Sequence, residues 1–206
     1  TQAQFLFESS QILKENNLWD DALVRHRQAL RLNPKLAQMD DFDSLSLLSK
    51  GDLEQGWKSF EWRNTIGTLG PFTDIVWSGE DLSQKTLLIW GEQGIGDQIM
   101  FSTCLPDIIE NAAKVIFATD ERLVPLFKRS FPNTIIHGVT RFGREGQTCV
   151  QSFDWLKKFT PIDFFILLGS LPRFLRPSLE SFPLVSPRLI ACSERRDYWD
   201  NMLNKL

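Results

Sequence analysis

The sequence predicts an α + α/β chain. Helical hairpins of repeat type fill residues 1–64, a break covers 65–84, and a Rossmann-like parallel-sheet α/β domain fills 85–206. Three observations carry this reading. A large–small–aromatic trio recurs at fixed spacing in the first third of the chain. Glycine and proline then interrupt every periodicity. From Lys85 onward, short apolar runs alternate with helical stretches, as a parallel sheet with right-handed crossovers requires.

The helical segment comes first. Asp20-Asp21 followed by Ala22, Leu23, Ala29, Leu30 and Leu32 gives an apolar stripe that stops at Asn33-Pro34, an ordinary helix exit. Trp19, Ala22 and His26 stand 34 positions before Leu53, Gly56 and Phe60. A period of 34 residues built from helix pairs is the mark of tetratricopeptide (TPR) repeats. The small residue lets two helices approach, and the large ones fill the groove beside it. His26 occupies a packing position and reads as core. About three repeats are needed to stand alone, so further repeats upstream or packing on the next domain is expected. Trp57, Phe60 and Trp62 offer aromatic surface for such packing.

Residues 65–84 read as a linker because Gly67, Gly70, Pro71, Ser78 and Gly79 break both helical and strand patterns, with Trp77 as its anchor. Beyond it, Lys85–Trp90 reads as a buried strand, Gly91–Gly96 as a glycine-rich turn, and Asp97 to about Ala113 as a helix bent or interrupted at Pro106. Lys114–Thr119 is a second strand, Glu121–Ser130 a helix, and Asn133–His137 a third strand. Arg141–Gly146 reads as a loop, Ile162–Leu168 as a further strand, Ser170–Arg176 as a short helical turn, and Ser193–Leu206 as a polar helix.

Composition limits the function classes. Apolar residues make up 42% and charged residues 24%, which suffices for a sizeable core and argues against disorder. A net charge of -3 argues against a duplex-binding protein, which usually carries a basic face. The three cysteines, Cys104, Cys149 and Cys192, are dispersed and suit a reducing, cytoplasmic compartment. His26 and His137 have no partner at ligand spacing, so no metal site is expected. No apolar run approaches the roughly 20 residues of a membrane helix. The chain opens at Thr1 and not at Met, which reads as a processed or excerpted piece of a longer protein.

In an open parallel sheet, ligands bind outside the carboxyl ends of the strands. The first strand–helix turn, Gly91-Glu92-Gln93-Gly94-Ile95-Gly96-Asp97, is therefore the leading candidate site. It is not a phosphate-binding loop of the Gly-Lys-Ser/Thr type, and its glycines lack the order of the dinucleotide fingerprint. The latter disfavours a nucleotide-binding oxidoreductase. Asp97 has two readings. It serves the helix as a cap or first-turn charge, or it is a carboxylate able to take a proton from a hydroxyl nucleophile. Glu92 and Gln93 are solvated loop residues or hydrogen-bonding groups for a polar ligand. Gly169–Arg176 follows a buried strand and belongs at the same sheet edge. Its Arg173 and Arg176 are surface cations or partners for a phosphate or sugar acid.

The stretch Gly51-Asp52-Leu53-Glu54-Gln55-Gly56-Trp57, ending Glu61-Trp62-Arg63, resembles the last repeat of bacterial TPR proteins fused to a glycosyltransferase-like domain. Trp77–Leu82, Lys85–Leu88, and above all Gly91–Phe101 continue the resemblance, which reaches Gly169–Arg173 and is poorest over Arg141–Thr160. It implies the N-terminal, acceptor-side half of a GT-B fold related to the heptosyltransferases. It implies Asp97 as the general base, and Glu92, Gln93, Gly94, Gly96, Gln98, Ser170 and Arg173 as substrate contacts. The implied reaction is an inverting, metal-free sugar transfer from a nucleotide sugar. The donor-binding half falls beyond Leu206, so this chain is expected to bind no cofactor and to be inactive alone. The partners implied are a protein or glycan acceptor, and a protein held by the TPR helices. The alternative is a TPR adaptor whose α/β domain is not catalytic.

Overall fold

The computed structural model describes residues 1–16, 18–33, 36, 42–61, 63, 70–139, 141–142, 149–150, 153–159, 161–184 and 189–204. The chain divides into two compact units, Thr1–Thr68 with Arg176–Phe182, and Leu69–Leu175 with Pro183–Leu206. Helices followed by a parallel-sheet domain are the architecture expected of this sequence.

In the first unit α1 (Gln2–Glu15) packs on α2 (Trp19–Leu32), and α3 (Phe42–Ser49) packs on α4 (Leu53–Phe60). The second helices of the two pairs begin 34 residues apart, at Trp19 and Leu53. Small residues sit where helices meet. Ala22 and Ala29 are fully buried on α2, and Ala29 shares a core cluster with Ala3 and Leu36. A Cβ on Gly56 would stand 2.7 Å from Leu48 Cγ and Cδ2 on α3, so only glycine fits there unaltered. His26 is buried against the Phe7 ring, with centroids 5.8 Å apart, in keeping with its core reading. Gly51 takes φ 80°, a left-handed conformation that lets the Asp52 N–H reach back to the Leu47 carbonyl at 3.0 Å. Asp52 then caps α4 by accepting from Gln55 N at 3.3 Å. Pro34 and Trp62 lie outside the described residues.

Arg176 belongs to this unit and departs from expectation. It is buried at 3% exposure, its guanidinium lies 5.7 Å from the Phe182 ring centre, and its carbonyl accepts from Trp57 Nε1 at 2.9 Å. Its place is in packing, not in an exposed basic cluster.

The second unit is built on a four-stranded sheet in the order β3-β2-β1-β6, all parallel. Its elements are β1 (Thr86–Trp90), α5 (Ile95–Phe101), α6 (Leu105–Asn111), β2 (Lys114–Asp120), α7 (Val124–Ser130), β3 (Ile135–Val139), β4 (Arg141–Phe142), β5 (Cys149–Val150), β6 (Phe164–Leu167), α8 (Leu171–Leu175) and α9 (Ser193–Leu203). Alternation sorts the strand side chains onto two buried faces. Leu88, Trp90, Ile116, Ala118, Phe165 and Leu167 form one core cluster with Leu156, covered by Phe72, Phe153 and Trp155. The other face carries Leu87, Ile89 and Phe117, the last packed 5.1 Å from Phe127 of α7. At the edge strand β3, His137 stacks on Trp155 with centroids 3.7 Å apart. Burial, then the charges of Lys158 and Lys128, push its pKa below the usual histidine value.

Several expectations need correction. The described part of the expected linker, from Gly70 on, belongs to the α/β unit. Val76 bridges Phe165 in parallel, Trp77 N donates to Phe165 O at 2.8 Å, and buried Trp77 packs 4.7 Å from Phe174. The turn chemistry of Ser78–Glu80 was legible, but not that an apolar pair before it, Val76-Trp77, would extend the sheet edge. The helix after the glycine turn is interrupted at Ser102–Cys104, and Pro106 opens α6, where a missing N–H costs nothing. Arg141-Phe142, expected in a loop, pairs antiparallel with Cys149-Val150. Gly67 and residues 143–148 lie outside the described residues.

At the start of the sheet, Asp163 accepts from Thr86 N at 2.9 Å and from Lys85 Nζ at 3.0 Å. Those two bonds, the backbone one first, hold its carboxyl below the usual carboxylate range. Such a lowered pKa contributes stability above the unfolded-state value and loses it as pH falls through the folded one. The Tm gap between wild type and Asp163→Asn is therefore expected at pH 7 and closes below about pH 4. A gap that persists unchanged into acid is the contrary result. In the helical unit, Gly56→Ala is expected to destabilise by about 1–3 kcal/mol in chemical denaturation, because Leu48 must move to admit the methyl.

Candidate functional site

β1 lies between β2 and β6. From β1 the chain runs outward through β2 to β3, then returns to place β6 on the other side of β1. The strand order therefore reverses between β1 and β6, and their carboxyl ends flank a topological switch point. Open α/β sheets generally hold their ligands at such a point. The loop after β1 is Gly91–Gly94, and the one after β6 is the 3₁₀ turn Leu168–Ser170 leading into α8. Helix α5 packs directly on that 3₁₀ turn. The two clusters marked in the sequence are thus neighbours.

The first loop is tied down at several points. Gly91 N donates to Ala118 O at 2.8 Å, extending the β1–β2 ladder one residue. Glu92, half-buried, reaches across the switch point, where its Oε1 accepts from Gly169 N at 3.3 Å. That contact joins the loops after β1 and β6. Gln93 is half-buried, and its carbonyl accepts from Gln98 Nε2 at 2.7 Å. Gly94 is the N-cap of α5, and no side chain caps that helix. Asp97 is therefore a first-turn carboxylate and not the cap. It is partly exposed, and a Cβ on Gly94 would stand 3.2 Å from its Oδ2, so glycine leaves the carboxylate room. Gly96 is exposed with open space around it.

The remaining candidates separate. Gln98 is buried at 1% exposure, and its amide bonds entirely within the protein. It shapes the loop and is not exposed for a ligand. Ser170 is buried at the head of α8. Arg173 is exposed on α8 with its guanidinium 5.3 Å from the Phe174 ring centre. Sequence reasoning passed over Thr119 and Asp120 at the end of β2. Thr119 is buried and donates to Gln98, while Asp120 grips Arg122 with both oxygens at 2.8 Å. A Thr-Asp pair closing an apolar strand was the available signal.

Among the described residues, no group of three or more His, Cys, Asp or Glu side chains is placed to hold a metal ion. Nor is any helix of the described residues long and apolar enough to cross a membrane. The loop carries the half-buried carboxylates of Glu92 and Asp97 and the half-buried Gln93, side chains whose chemistry can hydrogen-bond hydroxyl groups. Gly91 has no room for a side chain, since a Cβ would stand 2.7 Å from Gln98 Oε1 and 3.2 Å from Ala118 O. Gly91→Ala is therefore expected to cost about 1–3 kcal/mol in denaturant titration. An alanine variant of unchanged stability would contradict this geometry.

The comparisons with known proteins are sparse. No family model matches the chain, and no solved structure matches it. It is 32% identical over 178 residues to Protein FlbA of Caulobacter vibrioides, an alignment covering 83% of this chain. The chain spans only 30% of the length of that relative.

Proposed function

We propose that this chain is the acceptor-side half of an inverting glycosyltransferase, with helical repeats that present a protein or glycan acceptor to the sheet edge. The observation that carries the reading is the pairing of the Gly91–Asp97 and Leu168–Arg173 segments across the switch point between β1 and β6. In the reaction envisaged, Asp97 takes the proton of an acceptor hydroxyl as its oxygen bonds to the anomeric carbon. The bond from that carbon to the nucleotide diphosphate breaks, and the leaving group departs with the electron pair. Glu92, Gln93, Gly94 and Gly96 line the acceptor side, with Arg173 at its exposed margin. The donor nucleotide sugar is held by residues outside this chain. The sugar-transfer resemblance of the Gly91–Phe101 stretch supports the assignment, and dispersed cysteines agree with a cytoplasmic enzyme.

A second reading has its own observation. On α1, Phe5 and Ile12 lie seven residues apart, on one helix face, and are 65% and 59% exposed. An adaptor that binds a protein through that face would explain them without catalysis.

One variant of the full-length protein tests the first reading. With a panel of uridine-, guanosine- and adenosine-diphosphate sugars, Asp97→Asn is expected to lower kcat by about a hundredfold or more. Its Tm should move by less than about 2 °C, because Asp97 is not the helix cap. Full transfer by the variant removes Asp97 as base, and absence of transfer by wild type with every donor favours the adaptor.

A further inference from the structure

Gln98 sits beside Asp97 near the start of α5, and its amide meets four partners, two carbonyls, a backbone N–H and a hydroxyl. Nε2 donates to Gln93 O at 2.7 Å and to Gly91 O at 3.3 Å. Oε1 accepts from Thr119 Oγ1 at 2.7 Å and from Asp120 N at 3.1 Å. Two carbonyls on the loop side and two donors on the β2 side use the full capacity of a primary amide. We infer that Gln98 is a positioning residue, whose amide pins the Gly91–Asp97 loop to the end of β2 and so fixes where the Asp97 carboxylate stands.

The reasons are steric and electrostatic. α5 has a glycine N-cap and no side-chain cap, so its first turn is anchored to the sheet by Gln98 and not from its own start. The anchor itself is rigid, because Val115 to Thr119 of β2 are all buried. No other side chain satisfies the four partners. A carboxylate would turn lone pairs toward both loop carbonyls. An aliphatic chain would leave two carbonyls, a hydroxyl and an N–H bare in a closed interior. Asparagine is one methylene too short to span loop and strand. The glycine at position 91 belongs to the same device, since any Cβ there would collide with the Gln98 amide. The nitrogen of the amide holds the loop, and its oxygen holds the backbone of Asp120, which grips Arg122. One side chain thus sets the loops after β1 and β2 together.

The consequence for transfer rests on the reading of Asp97 as base, whereas the clamp stands on geometry alone. Amide hydrogen exchange of the protein reads the clamp directly. In Gln98→Leu the amides of residues 91–97 are expected to exchange at least about tenfold faster than in wild type, with those of β6 little changed. Gln98→Glu is expected to behave likewise at neutral pH. After correction for intrinsic exchange, its loop should regain protection as pH falls, because the protonated acid can again donate to Gln93 O. That pH-dependent rescue is a readout which lost packing alone would not produce, and it decides the matter if the leucine variant fails to fold. Wild-type loop exchange in a folded Gln98→Glu at neutral pH, or no recovery in acid, overturns the clamp. In the full-length protein, Gln98→Glu should lower kcat for transfer from nucleoside-diphosphate sugars about tenfold, with recovery toward acid and a smaller change in acceptor KM. If wild type transfers no sugar while the loop responds as described, the transferase reading falls and the clamp remains.

Discussion

The structure depends on the burial of β1 between two parallel neighbours. Leu87, Leu88 and Ile89 are wholly buried, and each contributes about 1.5–3 kcal/mol by leaving water. That exceeds the spread of strand propensities, about 1 kcal/mol. A strand enclosed on both edges and both faces cannot slip in register, because a shift of one residue would exchange its faces. The fixed register of β1 fixes where it ends, at Trp90, and hence where Gly91 begins the loop. It also fixes the place of β6, which pairs Leu87–Trp90 with Phe164–Leu167 residue for residue. The switch point follows from that pairing and not from any feature of the loops.

Much of this was legible in the sequence, for one physical reason. Apolar runs such as Leu87–Trp90, Val115–Ala118 and Phe165–Leu168 are too short for helices and too apolar for exposed strands, so they announce a doubly covered sheet. The recurrence of Ala22 and Gly56 was legible because close helix approach tolerates only small residues. The rest depended on long-range pairing, which local pattern does not record. Val76-Trp77 pairs with β6 across nearly ninety residues of chain. Arg176 reads from the sequence as a surface cation or a partner for an anion, yet it is buried.

The candidate site was legible in place but not in roles. Glycines after a buried strand marked the loop. Which polar residues face a ligand and which hold the loop could not be read from spacing, since Asp97 and Gln98 are adjacent. On a helix, adjacent residues point about 100° apart, so Asp97 stays partly exposed while Gln98 turns into the interior. Four partners of matching polarity identify the buried one, and they lie as far away in sequence as Thr119 and Asp120.

The division of labour between these two neighbours has a physical logic. On the proposed reading of Asp97 as base, its carboxylate has to remain partly hydrated, because full burial favours the neutral form. It therefore cannot also be the residue that anchors the helix in the interior. Anchoring falls to a neutral amide, whose burial costs far less than that of a charge and which donates and accepts at once. Glu92, in the same loop, reaches across the switch point. One carboxylate oxygen accepts from Gly169 N, which joins the loops after β1 and β6. The loops after β1 and β6 are thereby bounded by groups whose own positions are set by the sheet, while Asp97 stays partly exposed in the first turn of α5.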